Sequence, residues 1–284
     1  MFKSPIEWLI EALKDLIQNF ADAAFKWLKI YLLKPTSLKG GYLEDVNDWV
    51  LGIAIGLMSV LLAYNMLKYL FQNISGNSSR SGQEIMVRTF FGVALASGAP
   101  FIMTDVLLKI NNAYCKALLS QGVDVEKFSK LILNPSTANL AITFAAFTMA
   151  VCYLVLAIQY IIRQAELCVL FVGAPLAGIS IVNEDMNIWP IWWREVVAVV
   201  FTQAFQLTIL YIILNQVGNA KDLNGYIMAI GLTIVLITGP KYLRTFIYST
   251  GAGKSMVGAA QGAGKMAIYK YAASKVAKVP VKAA

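Results

Sequence analysis

The chain has 284 residues, of which 58% are hydrophobic and only 14% charged, with no His and three Cys. That charged content lies well below the roughly 25% of soluble domains, so long apolar runs are expected. Without His there is no Ser-His-Asp or Cys-His nucleophile, no His-ligated metal and no imidazole relay. Three Cys are too few for a disulfide framework or a four-thiolate zinc site, which leaves reduced thiols. No catalytic residue, cofactor or metal is expected, and the chain reads as a non-enzyme.

The net charge of +8 is uneven: residues 1–240 hold 16 basic and 16 acidic side chains and so sum to zero. The last 44 residues hold eight basic and no acidic ones, namely Lys241, Arg244, Lys254, Lys265, Lys270, Lys275, Lys278 and Lys282.

Residues 1–34 are interrupted too often by charge to be a signal peptide. Ile6, Leu9, Ile10, Leu13, Ile17, Phe20, Ala24 and Leu28 recur at helical spacing, with Glu7, Glu11, Lys14, Asp22 and Lys26 on the other face. The pattern predicts an amphipathic helix lying in the membrane interface. Packing on the protein's own loops or on a neighbouring subunit is the plainer alternative. Residues 35–45 read as a linker.

A membrane domain is expected over 46–240. A helix needs about 20 apolar residues to cross the hydrocarbon. Uncharged runs place spans at about 49–71, 89–108, 137–162, 167–183, 196–218 and 223–240, with Trp189, Trp192 and Trp193 as an aromatic belt before the fifth. The fourth is short enough to be a kinked span, a re-entrant segment or a continuation of the third. Six spans with both ends inside put 19 Lys and Arg on the cytoplasmic side against 5 outside. Fusing the third and fourth spans gives 12 against 11 and leaves Arg163 in the membrane, so six spans fit the positive-inside rule better. Residues 73–88 read as a flexible loop, 109–130 as a short polar connector and 241–284 as a basic cytoplasmic tail.

Several residues invite a functional reading. Asp105 is the one carboxylate placed inside a span; an i,i+4 pair with Lys109 is the simpler account, lining of a path the other. Thr202, Gln203 and Gln206 sit centrally in the fifth span, where they can bond between helices or line a wet path. Gly98-Ala-Pro100 and Gly173-Ala-Pro175 break the second and fourth spans alike, a pointer toward a transporter site. In the tail, Lys254, Lys265, Lys270, Lys275, Lys278 and Lys282 can fix topology, hold anionic lipid or meet an acidic partner. Thr250-Gly-Ala-Gly-Lys254-Ser255 mimics a phosphate loop. However, Tyr248 stands where the first Gly belongs and no strand precedes it, so nucleotide binding is not expected.

The order Arg163-Gln-Ala-Glu166, Gly173-Ala-Pro175-Leu-Ala-Gly178, Ile188-Trp-Pro-Ile-Trp-Trp-Arg-Glu195, Phe201-Thr-Gln203-Ala-Phe-Gln206 and Gly239-Pro240 before a basic tail resembles the TrbL-type polytopic membrane subunits of conjugative type IV secretion systems. The short forms of Gram-positive bacteria are the nearest in kind, over roughly residues 46–260. The resemblance implies an all-α, multi-pass, non-catalytic subunit of the bacterial cytoplasmic membrane. It implies assembly as several copies, with other secretion-system membrane subunits and cytoplasmic ATPases, in contact with membrane lipids. The cargo it implies is protein, or single-stranded DNA with its relaxase. Related Gram-negative subunits place the amino terminus outside with an odd number of spans, whereas the charge count here argues for inside. The reading from a different class is a small-solute channel or transporter, motivated by the two Gly-Ala-Pro breaks.

Overall fold

A computed structural model describes residues 5–32, 34–76, 81–121, 140–183, 186–218 and 223–249. All regular structure among them is helical: α1 (Pro5–Tyr31), α2 (Tyr42–Ile74), α3 (Gly82–Phe101), α4 (Leu108–Ser120), α5 (Leu140–Ile179), α6 (Trp189–Gly218) and α7 (Leu223–Ser249). A π-helical segment, Ile102–Leu107, joins α3 to α4 without a loop, and a 3₁₀ turn, Ser180–Val182, follows α5.

Five stretches are long and apolar enough to cross a membrane: Tyr42–Ile74, Gly82–Ser120, Thr143–Val182, Trp189–Asn215 and Ile227–Ser249. The count is five and not six because the expected third and fourth spans are one helix. Arg163 and Glu166 look like a connector on the charge rule, yet neither needs one. Arg163 is buried and bonded by two backbone carbonyls and the Thr36 hydroxyl, and Glu166 pairs with Arg244 on α7.

Helix α5 organises the rest. Its 40 residues rise about 60 Å, roughly twice the hydrocarbon thickness, and two sets of neighbours share that length. Its first part packs with α1, α4, α6 and α7 in a core that includes Leu28, Met149, Tyr153, Leu156, Tyr160, Leu207, Ile213 and Leu236. Its last part packs with α2 and α3, through Leu167, Phe171, Ala174, Ala99 and Met103 and then through Ala54, Ala96 and Ile179. The second crossing is close. A Cβ built on Gly178 would fall 2.4 Å from the Ala96 nitrogen, so only glycine lets the α3 and α5 backbones meet.

Local chemistry sets the ends. Gly40 and Gly41 take φ of 95° and 73°, in the left-handed region, and turn the 32–41 linker into α2. The Ser81 hydroxyl accepts the Glu84 amide at the start of α3. The Ser180 hydroxyl donates to the Ala177 carbonyl and accepts the Ile188 and Trp189 amides, tying the end of α5 to the start of α6.

Helix α1 is the amphipathic helix that its spacing predicts, and part of its apolar stripe turns into the bundle while Trp8, Leu16, Trp27 and Ile30 stay exposed. Ile17, Ala24 and Leu28 are buried in the first-tier core, and the Phe20 ring meets Phe147 edge-on at 6.3 Å.

Candidate functional site

Four of the buried polar residues, Thr36, Asn111, Arg163 and Gln203, form one connected centre, with Gln203 of α6 at its hub. Its side-chain carbonyl accepts the Thr36 hydroxyl at 3.0 Å and the Asn111 amide of α4 at 3.0 Å. Its own amide donates to the Leu32 carbonyl at 2.7 Å, a carbonyl that the end of α1 would otherwise leave orphaned. Arg163 of α5 enters from the other side. Its guanidinium donates to the Val199 and Val200 carbonyls at 2.9 and 3.0 Å and to the Thr36 hydroxyl at 3.3 Å. Asn112 exchanges two hydrogen bonds with the Thr36 backbone. Three helices, α4, α5 and α6, thereby hold one short linker, and a cation is buried with hydrogen-bond acceptors around it and, among the described residues, no carboxylate in direct contact.

The remaining amides repair the helices at proline. Pro175 has no N–H, so the Phe171 carbonyl one turn earlier loses its intrahelical partner. The Asn47 amide of α2 supplies that bond at 2.8 Å. Pro240 does the same to Leu236, whose carbonyl receives the Gln206 amide at 3.4 Å, while the adjacent Ile237 carbonyl receives Gln159 at 3.0 Å. Asn65 caps the Val182 carbonyl at the end of the 3₁₀ turn, at 2.9 Å. Around Pro100 the backbone adjusts instead, by opening into the π-helical segment two residues on.

The other expected residues fall as follows. Asp105 lies in the π segment and pairs with Lys109 at 2.9 Å, and also with Lys39 of the linker at 2.7 Å and the Thr104 hydroxyl at 2.9 Å. It clamps the linker to α4. Thr202 bonds the Ala198 carbonyl of its own helix at 2.7 Å and joins no neighbour. Gly98 and Gly173 have open space around them, and α5 runs helically through Gly173 and Pro175. Neither Gly-Ala-Pro break is an unwound segment. Trp192 is buried against the second-tier core, its indole donating to the Leu170 carbonyl at 3.0 Å, so it does not serve as a lipid-facing belt. Lys254, Lys265, Lys270, Lys275, Lys278 and Lys282 lie outside the described residues. Thr36, Asn47, Asn65, Asn111 and Gln159 were not singled out by sequence, and Arg163 entered only as a charge in the topology count and as part of the family resemblance. The one available signal was the coincidence of span amides with Pro175 and Pro240.

The family of conjugal transfer proteins TrbL matches residues 2–275 of this chain. The chain belongs to the TrbL family. No match is found among curated proteins or among solved structures. The TrbL family places the protein in conjugative transfer, as a multi-pass membrane component of a machinery with other subunits. In this TrbL-family chain the buried side-chain donors of Gln203, Gln206, Asn47, Asn65, Asn111 and Arg163 go to carbonyl and hydroxyl oxygens, while Asn65 Oδ1, Asn111 Oδ1 and the Tyr160 hydroxyl have no partner among the described residues. A second charged cluster sits at the end of α7, where Arg244 bridges Glu166 and Glu195 at 2.8 Å each and Tyr248 donates to Glu195 at 3.1 Å. It ties α5, α6 and α7 together within the first residues of the basic segment, which α7 carries to Ser249.

Proposed function

We propose that this chain is a structural and channel-forming subunit of a conjugative type IV secretion machine, without catalytic activity of its own. It works as several copies in the bacterial cytoplasmic membrane, beside other membrane subunits and cytoplasmic ATPases. The cargo is single-stranded DNA with its relaxase, or protein. The observation that carries this reading is the family match across residues 2–275. The way the interior polar groups are used fits a structural subunit, because Gln203, Gln206 and Arg163 act as struts between helices and the linker.

The basic tail faces the cytoplasm in this proposal, where it meets anionic lipid, an ATPase or the nucleoprotein in transit. With five crossings the amino terminus then lies on the opposite side, in place of the cytoplasmic position expected from six.

Deleting the gene from a conjugative element should abolish transfer, and the full-length chain supplied in trans should restore it. Removing residues 255–284 should leave the protein in the membrane but weaken its crosslinking to the ATPase and to DNA. Undiminished transfer after gene deletion, with specific solute uptake by vesicles holding the purified chain, would establish the transporter reading instead.

A further inference from the structure

The stretch Gly82–Ser120 is 39 residues long, about 58 Å at 1.5 Å per residue, and its charges are unevenly spread. Between Arg88 and Asp105 it carries none. That run, 89–104, reaches about 24 Å, most of a hydrocarbon layer, so Asp105 and Lys109 stand at the edge of the apolar part. At that level the linker meets the π segment and α4 around a cavity of about 200 Å³. Its lining includes Thr36, Ser37 and Lys39 from the linker, with Thr104, Lys109 and Asn112 opposite.

The charge balance there favours an anion. Lys39 and Lys109 share Asp105, at 2.7 and 2.9 Å. Behind the inner wall, Arg163 donates to the Thr36 hydroxyl at 3.3 Å. Glu166, one turn further along α5, is taken by Arg244. Three cations therefore surround one carboxylate. Each ammonium has three N–H donors, of which Asp105 takes one, and the Lys39 and Lys109 side chains are 56% and 70% exposed. The carboxylates that open α2, Glu44, Asp45 and Asp48, do not line the cavity.

An apolar track leads away from the mouth. Phe90, Val93 and Phe101 of α3 are exposed, and steps of three and four residues through Ser97 put them on one helix face. Ser97 turns its hydroxyl back to the Val93 carbonyl and leaves the stripe without a free polar group. A cationic recess at the end of a bare apolar stripe fits a molecule with an anionic head and a hydrocarbon tail better than a free anion.

We propose that this cavity binds an anionic phospholipid, its phosphate between the Lys39 and Lys109 ammonium groups and one acyl chain along Phe101, Val93 and Phe90. Asp105 is a positioning residue that holds the two lysines at the mouth. The bound headgroup ties the linker to α4. The site is separate from the basic tail and independent of the cargo moved.

The test uses the full-length chain in detergent, unfolded by heat while phosphatidylglycerol or phosphatidylcholine with the same acyl chains is titrated in. Phosphatidylglycerol should raise the melting temperature and phosphatidylcholine should not. Lys39→Gln and Lys109→Gln should each raise the half-saturating phosphatidylglycerol concentration about fivefold, and on the order of twenty-five-fold together. Glutamine at Lys254, Lys265, Lys270, Lys275, Lys278 and Lys282 should leave the preference intact. A preference that survives the Lys39/Lys109 pair, or that vanishes with the tail lysines alone, would overturn the proposal. Equal protection by inorganic phosphate or by a single-stranded oligonucleotide would also overturn it, since neither carries an acyl chain.

Native mass spectrometry gives a second measure that does not depend on the melt. The parent should leave the membrane with phosphatidylglycerol bound, and either single lysine variant should lose it; equal retention in all three sinks the site. Intact conjugative transfer without the lipid preference retires this site alone, and the lipid preference in a chain that transfer does not need retires the proposed function alone.

Discussion

Helices α2 and α6 are matched in hydropathy and opposites in the fold. Both contain an 18-residue window of mean hydropathy 2.1, yet 11% of that window is buried in α2 and 61% in α6. Trp49, Ile53, Val60, Leu67 and Phe71 stand exposed along α2, whereas Val196, Val199, Val200, Leu207 and Ile213 of α6 are closed off. Hydropathy therefore reports that a segment is apolar and not what it touches, since lipid and protein accept the same side chains. Polar placement carries the difference. The amides of α6 sit mid-helix and bond the linker and three other helices, while the two buried amides of α2, Asn47 and Asn65, each cap one carbonyl.

The largest expected effect breaks the inner helix at its hub. Gln203→Leu removes both faces of the amide at once, stranding the Thr36 hydroxyl, the Asn111 amide and the Leu32 carbonyl. Each buried group left unsatisfied costs about 1–3 kcal/mol. The variant should unfold at markedly lower denaturant in detergent, and protease should cut the 32–41 linker earlier than in the parent. A similar apolar change on the bare face of α2, Leu57→Ala, should shift neither readout measurably. Equal shifts would mean that α2 is covered in the protein as thoroughly as α6.

A second contrast uses glycine. Gly178→Ala pushes a methyl against the Ala96 backbone, which cannot swing aside as a side-chain tip can. Overpacking of this kind costs about 1–3 kcal/mol. Gly56→Ala in α2 meets nothing within 4 Å, and replacing a helical glycine there should gain up to about 1 kcal/mol. Opposite signs in a detergent melt are the expected result. Two variants of the same sign would place the α3–α5 crossing elsewhere.

Much of this architecture was legible before any coordinates. The apolar runs marked each spanning helix, because twenty uncharged residues have few other uses. The family resemblance rested on residues that fall at helix junctions: Arg163 and Gln203 join α5 and α6 to the linker, Gln206 reaches α7, and Glu166 and Glu195 meet at Arg244 of α7. The joined third span was not legible. On a charge count Arg163 is an intruder, and only the positions of the Val199 and Val200 carbonyls show that it is satisfied. The burial of α1 was equally hidden. An apolar stripe states that something must cover it, and the covering residues of α5 lie more than a hundred positions away. Gln203 and Gln206 were found by being amides in a span; that one caps a helix end and the other serves a proline depends on neighbours that periodicity does not encode.

The smallest expected effect probes that last point on the outer helix. Asn47→Leu keeps the volume and apolar character of α2 but takes away the donor to Phe171, leaving the carbonyl that Pro175 orphans without its bond. Side-chain hydrogen bonds between membrane helices average about 0.6 kcal/mol, so the loss should be small in the wild-type background. It should depend on the proline. In a Pro175→Ala background the backbone N–H is restored and can serve Phe171 itself, so Asn47→Leu should then cost less than in the parent. A double-mutant cycle on stability in detergent reads that coupling directly. Coupling of zero would show that Asn47 helps by packing alone, and that the outer helix is held on by shape and not by repair of its neighbour's backbone.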